Sequence, residues 1–468
     1  MATSVTAVTG LADLLDRQVR TRPHAPALTF GDGQLPLSYE ELDALAEREA
    51  ERIAAAGVRA GEVLGLVAGN SAEFVGALLG AGRAGVVPAP LDPGLSESEL
   101  RARCVVLGAR GVLHGDMIGV GSIPVRPRVR PDDALVLFTA GATGRARMVP
   151  LTHGNVVAAV NTVCATYALG PEDATVAVMP FFHGHGLFAS LLATLASGGC
   201  VLLPSRPPVG GGFSAEALWG DLRAVGASWF TAVPVIHEAL LERSEAGDIP
   251  VPPPLRFVRS CGAPLNAATQ RALERMFGAP VLSAYGMTEA AHQIASEPLP
   301  RDGALKHGTV GRATGVRVRV VDREGRVCAA GVRGEVWVRG PAVAGVGGGW
   351  LRTGDLGWLD EDGYLSLAGR IESLIVRRGR VISPEYVEDV LAGCPSVVEA
   401  AVFAVGGEGL GAAVVVRGEE CVGVDDVLRY CRGRLASVAV PDRVVVVSAL
   451  PRTAQGGLDR STVAARYA

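Results

Sequence analysis

FTAGATGRARMV, residues Phe138 to Val149, places two glycines, two threonines and two arginines at the end of the apolar run Ala134–Thr139 and just beyond it. Gly141 and Gly144 permit a ligand to approach the backbone closely. Thr139 and Thr143 offer hydroxyl donors, and Arg147 a fixed positive charge. The stretch is neither a GxxxxGK[ST] loop nor a GxGxxG fingerprint. Its chemistry suits phosphate groups, although an ordinary turn could carry the same residues.

Outward from this loop, strand and helix patterns alternate. Leu11–Gln18 and Tyr39–Ala56 read as amphipathic helices, the second with Ser38 as N-cap ahead of Glu40 and Glu41. Val63–Ala68 reads as a strand, Ala72–Ala84 as a small-residue helix, and Val105–Leu113 and Ala134–Thr139 as further strands. This alternation predicts an α/β fold with doubly wound, mostly parallel sheets and ligands at the carboxyl ends of strands. Between Gly311 and Gly340 the period changes to two, with Val316, Val318 and Val320 alternating with arginines, which predicts a small β-barrel-like subdomain. Beyond Arg370 the chain has its own α+β pattern: helices at Pro384–Leu391 and Val424–Leu435, strands at Glu399–Val405 and Arg443–Val447. The expected division is a large domain, 1–369, and a small mobile domain, 370–468. Gly210–Gly212 and Gly345–Gly349 read as loops.

A chain of 468 residues exceeds one hydrophobic core, and 49% hydrophobic with 20% charged residues describes a globular protein. A net charge of −4 provides no basic footprint for nucleic acid or an anionic membrane. MATSVTAVTGLADLLDRQ at the amino terminus lacks the basic start and apolar run of a signal peptide, so a cytoplasmic protein is expected. Gly184–Pro204 is nearly uncharged, but Gly198 and Gly199 interrupt it. It predicts a buried helix turning into a strand rather than a membrane span. Eight cysteines stand singly, without CxxC or zinc spacing. Of the 44 basic residues only Lys306 is a lysine.

Four further motifs follow the loop: SAYGMTE (Ser283–Glu289), RTGDLG (Arg352–Gly357), GRIESLIV (Gly369–Val376) and PRTAQGGLDR (Pro451–Arg460). Together they resemble the adenylate-forming superfamily of acyl-CoA synthetases, luciferases and peptide-synthetase adenylation domains. The resemblance implies ATP and Mg²⁺, with the loop on the phosphates through Thr139, Gly141, Thr143, Gly144 and Arg147. It implies Tyr285 and Gly286 on adenine, Thr288 on the α-phosphate and Glu289 on the metal, roles that suit an aromatic face, a hydroxyl and a hard oxygen. Gly262 and Ala263 of SCGAPL would line the adenine and acyl pockets, Asp355 and Arg370 would hold the ribose, and Glu372 would be the hinge of the small domain. The Gly379 loop in RRGRVISPEYVE matches the segment associated with thioester formation.

On the acyl side, PFFHGHGL (Pro180–Leu187) is similar to the family segment whose histidine closes over the carboxylate. His183 is the candidate, with Phe182 beside it and His185 as a weaker one. No acidic or cysteine partners stand near these histidines in sequence, so a zinc site is not expected. VPLTHGN, VMPFFHGHGLFASLLATLASGG, RSCGAPL and MTEAAHQIASEPLP resemble the oxalate–CoA ligase branch, which implies a small polar acid with His292 helping to line its pocket.

The chain departs from the family in four places. Ala140, Ala142, Ala146 and Arg147 stand where the loop usually reads [ST]SGTTGxPK, and Arg is not a simple replacement for Lys. Gly457 aligns with the lysine of PRTxxGKxxR, which bridges acid and α-phosphate, and only Arg452 and Arg460 remain nearby. Ala439 precedes Val440–Pro441 where relatives have a second lysine, and the link from Pro341 to Trp350 is short. Losing a cation aimed at developing charge commonly costs ~10²–10³ in rate. Three functions fit these residues. One is an AMP-forming ligase acting on a small carboxylate, with CoA, an amine or a carrier-protein thiol as acceptor. The second is an ATP-dependent activation of nitrite for coupling to an amine, and the third a nucleotide-binding protein without turnover. A monomer or homodimer is expected.

Overall fold

The computed structural model describes residues 9–115, 117–120, 129–139, 147–205, 214–245, 247, 253–407, 409–416, 423–452 and 458–468. Packing divides the chain into two units, Met1–Val318 with Val338–Leu351, and Arg319–Trp337 with Arg352–Ala468.

The first unit is built on parallel strands covered by helices. Val87–Leu91, Val63–Val67 and Ala109–His114 lie side by side in parallel, with Met117–Val120 antiparallel at the edge. Pro26–Phe30, Cys200–Leu203 and Ala174–Val176 form a second parallel set. A third runs Trp229–Ala232, Phe257–Ser260, Val281–Tyr285, then turns antiparallel through Ala295–Ser296 and Arg312–Ala313. Every residue of Val63–Val67, Trp229–Ala232 and Phe257–Ser260 is buried, as in sheets covered on both faces. The three neighbouring strands of the third set end together at Ala232, Ser260 and Tyr285. Val233, Cys261–Gly262 and Gly286 therefore emerge at one edge, the expected place for a ligand in an open α/β sheet.

Several sequence expectations hold in detail. The helix Tyr39–Ala55 begins with a reciprocal capping box between Ser38 and Glu41. The uncharged segment is a buried π-helix, His185–Leu192, continuing as the α-helix Ala193–Ser197 before the strand Cys200–Leu203. Two expectations are corrected. Val105–Leu107 is not strand but the end of a helix, Glu97–Leu107, which starts at a Ser96–Glu99 capping box and stops at Gly108 with φ +63°. Leu11–Leu15 forms turns rather than helix, because the Asp13 carboxylate accepts from the Thr9 and Gly10 amides; the helix is Asp16–Thr21.

The second unit holds a three-stranded sheet with Gly409–Val416 in the middle, antiparallel to Val397–Val405 and parallel to Arg443–Val446. Helices Pro384–Ala392, Val424–Arg432 and Arg460–Tyr467 accompany it. The hairpin region is a four-stranded sheet in the order Arg317–Val321, Gly334–Arg339, Leu351–Leu359, Leu365–Arg370. Among the described residues the cysteines are free thiols, and no helix is long and apolar enough to cross a membrane.

Helices Tyr39–Ala55 and Ala72–Arg83 touch through Gly76 and Gly80, four residues apart on one face. A Cβ at Gly80 would lie 2.7 Å from the Ala46 carbonyl oxygen and 2.8 Å from the Ala50 nitrogen. Replacing a mid-helix glycine by alanine ordinarily gains ~1 kcal/mol. Here overpacking, at ~1–3 kcal/mol, works against that gain and involves backbone atoms that cannot turn aside. Gly80→Ala is expected to lower stability in urea unfolding despite its better helix propensity.

Candidate active site

The acyl-side residues come together in the first unit. Asn70 shapes the segment that delivers them: its Nδ2 donates to the Ala177 and Met179 carbonyls at 3.0 and 2.9 Å, and its Oδ1 accepts from the Phe181 amide at 2.8 Å. His183 then stands just ahead of the π-helix that carries His185; π-helical turns widen a helix and recur at functional sites. From the other side, the chain leaving Tyr285 folds back on itself. The Met287 carbonyl accepts from the amides of Ala290 and His292, and Ala291 and His292 adopt φ of 46° and 62°. This left-handed pair, unusual for residues other than glycine, brings the His292 ring to 4.5 Å from that of His183, edge on, and 6.2 Å from that of His185.

Glycine makes this arrangement possible. A Cβ at Gly184 would collide with the His292 ring, and one at Gly286 with the His292 carbonyl group. Gly262, at φ +96°, borders His185 Nδ1. Among the described residues, no partner bonds either ring nitrogen of the buried His292, or His185 Nδ1. Burial holds His183 down to about 4 and His185 and His292 well below the ordinary imidazole range, reinforced by mutual repulsion and by Arg259. All three rings are neutral at pH 7.

Beneath the histidines lies a polar floor. His185 Nε2 bonds Thr231 Oγ1 at 2.6 Å, and the fully buried Arg259 donates to Tyr167 Oη at 2.9 Å, Thr231 Oγ1 at 3.1 Å and Gln293 Oε1 at 3.0 Å. Thr231, Arg259, Tyr167 and Gln293 were not singled out in the sequence. The signal was an arginine inside the strand Phe257–Ser260, a position where a charge is rarely tolerated without a reason. Ser260 and Ser283, at the ends of neighbouring strands, also keep buried hydroxyls without partners. Phe182 is half-buried, and Ala263 is exposed beside Gly262.

On the nucleotide side, Thr139 and Arg147 are register partners at the base of an antiparallel hairpin, Asp133–Thr139 with Arg147–Thr152. The loop thus joins two strands of one hairpin; Gly141, Thr143 and Gly144 lie outside the described residues. Both hairpin strands pack against the short 3₁₀ turn Thr288–Ala290, and Tyr285 ends its strand almost fully buried. Thr288 is buried, whereas Glu289 is partly exposed and fixed through its backbone carbonyl, which accepts from Ala344 at 2.8 Å. Among the described residues no group of three or more His, Cys, Asp or Glu side chains has a metal-holding arrangement. A single carboxylate fits Mg²⁺ carried on phosphates, because that ion keeps most of its other ligands from water and substrate.

In the second unit, Asp355 and Arg370 face each other across neighbouring strands and form an ion pair at 3.5 Å. Arg370 also meets Glu372 at 3.1 Å. Gly457 lies outside the described residues. Arg452 and Arg460, the cations nearest to it in sequence, are both engaged: Arg452 pairs with Glu399, and Arg460 chelates Glu388 at 2.5 and 2.6 Å.

The histidine cluster has a thermodynamic signature. Each imidazole binds its proton less tightly in the folded protein, so the unfolded chain takes up more protons below about 6.5 and folding stability falls as pH drops. Urea midpoints measured at pH 7 and 5.5 should show His292→Asn losing about 1 kcal/mol less over that interval than the wild type.

Comparison with known proteins identifies the family. The model of the AMP-binding enzymes matches residues 15–120 and 120–346, and that of the AMP-binding enzyme C-terminal domain matches 386–456. A probable CoA ligase of Humulus lupulus is 38% identical, covering 93% of this chain and 92% of its own. The oxalate–CoA ligase of Arabidopsis thaliana is 36% identical over 98% of both. The Bacillus subtilis O-succinylbenzoate CoA synthetase, solved with ATP and magnesium, superposes with a TM-score of 0.82 at 26% identity over 96% of this chain and 98% of that one. This chain belongs to the AMP-binding enzyme family and is an AMP-forming enzyme of the acid–CoA ligase kind.

Proposed function

We propose that this enzyme activates a small, polar, anionic carboxylic acid as its acyl-adenylate and passes the acyl group to CoA. The observation that carries this reading is the cluster of His183, His185 and His292. Buried imidazole nitrogens without partners are costly unless a ligand satisfies them, and hydrogen-bonding rings suit a small polar acid better than a fatty one. The oxalate–CoA ligase relative supports a substrate of that size and polarity.

The remaining roles follow the chemistry of each group. Arg147 and the loop from Thr139 to Gly144 would hold the outer phosphates, Tyr285 and Gly286 the adenine, with Gly262 and Ala263 between base and acid. Asp355 and Arg370 would take the ribose hydroxyls, and Glu372 would serve as the hinge of a domain beginning at 370. Glu289 would hold Mg²⁺, which supplies charge neutralisation at the α-phosphate. Thr288 would donate to the α-phosphate while the neutral histidines orient the acid for in-line attack. Gly457 would leave the adenylation lid without its cation, a loss worth ~10²–10³ in rate and compatible with a slow biosynthetic role. Free thiols fit a cytoplasmic location.

Pyrophosphate release with ATP and Mg²⁺ across small mono- and dicarboxylates, with and without CoA, tests the reading. Release is expected with a small diacid or similarly polar acid. Release only with nitrite and an aryl amine, or ATP binding without release in any mixture, would sink it. Glu289→Gln should lower turnover by ~10² or more. Gly457→Lys should leave turnover unchanged or raise it, and a marked fall would show that the glycine belongs to a specialised mechanism.

A further inference from the structure

Arg259 is fully buried, yet among the described residues none of its partners is a carboxylate. Tyr167, Thr231 and Gln293 accept from it, the His292 carbonyl does so loosely at 3.4 Å, and Cys261 lies alongside. Among the described residues no carboxylate is within ion-pair distance of it. A buried guanidinium without a counter-ion is strongly disfavoured unless an anion balances it.

The hydrogen-bond directions add a second observation. Arginine can only donate, so Thr231 Oγ1 accepts from Arg259. The threonine proton is then free to go to His185 Nε2, 2.6 Å away, its one acceptor among the described residues. If His185 donated instead, both the threonine proton and the Nδ1 lone pair would be left unmet; with Nε2 accepting, only the Nδ1 proton is, and it borders Gly262. The geometry therefore favours Nε2 as the acceptor and the ring proton on Nδ1.

We propose that Arg259 is the positioning residue for the anionic end of the acid: from behind the pocket it supplies the positive charge that the neutral imidazoles lack. Through Thr231 it also fixes His185 as an Nδ1–H donor. The role rests on the small-acid reading above. Arg259 does not touch the acid; Thr231 and the histidines transmit its effect. The titratable and charged groups around the cluster are His183 and His185 at the π-helix, His237 from helix Pro234–Glu245, Tyr167 from helix His153–Tyr167, Cys261, and His292.

Steady-state pyrophosphate release by Arg259→Gln, Arg259→Lys and Thr231→Val, each checked for folding by circular dichroism, tests the role. Arg259→Gln should raise KM for the acid at least tenfold while KM for ATP stays within twofold. Arg259→Lys should restore most of the affinity, and Thr231→Val should weaken acid binding with the charge still present. An unchanged KM for the acid in folded Arg259→Gln, or KM for acid and ATP rising together, would overturn the proposal. Imidazole ¹⁵N spectra of the free wild-type enzyme decide it independently of turnover. His185 should be a neutral Nδ1–H tautomer at pH 6; an Nε2–H tautomer, or titration near the ordinary value of about 6.5, would refute the role. If no acid is turned over while the spectra are as expected, the small-acid reading alone has failed.

Discussion

The His292 ring can reach the other two histidines only because no side chain stands at Gly184 or Gly286, and much of the first unit serves that approach. The left-handed turn at Ala291 and His292 costs backbone energy that few non-glycine residues bear, so surrounding structure must hold it. The Met287 carbonyl holds it from one end, and the Tyr285 carbonyl, accepting from Ile294, closes it at the other. Asn70 fixes the facing segment from a helix start more than a hundred residues earlier in the chain. The pocket is thus a junction of three chain segments, each bent to fit the others.

Charge in this region is arranged in layers. The innermost is the guanidinium of Arg259, buried among neutral oxygens. Above it stand imidazoles that burial and mutual repulsion keep unprotonated, so the pocket presents hydrogen-bonding nitrogens backed by one permanent cation. An anion entering it would lose its water but gain fixed donors in a medium of low dielectric, where such contacts are worth more than in water. In the second unit, by contrast, the two arginines nearest Gly457 in sequence are matched to carboxylates, Arg460 to Glu388 and Arg452 to Glu399.

The alternation of strands and helices, the start of the helix at Ser38, and the division into a large α/β part and a smaller α+β part were legible in the sequence. These depend on local periodicity and capping chemistry, which neighbouring residues settle among themselves. The runs around Phe138, Tyr285, Asp355 and Arg370 stand out in the sequence because each is a short local pattern, and together they pointed to the family that the comparisons show. Val105–Leu107 misled because three apolar residues at the end of a helix look the same as the start of a strand until Gly108 is seen in its left-handed conformation.

The sequence by itself determined which residues this protein has for its chemistry: a glycine- and threonine-rich loop, one acidic residue after Thr288, histidines at 183, 185 and 292, and a single lysine far from the carboxyl-terminal motif. Only the tertiary structure decided that the three histidines stand against one another, that Thr231 links His185 to Arg259, and that Arg452 and Arg460 are already paired. The physical reason is separation along the chain. His185 and Thr231 are 46 residues apart, and Tyr167 and Arg259 are 92 apart. No local pattern encodes such contacts; they arise where parallel strands end side by side and bring distant turns to a common edge.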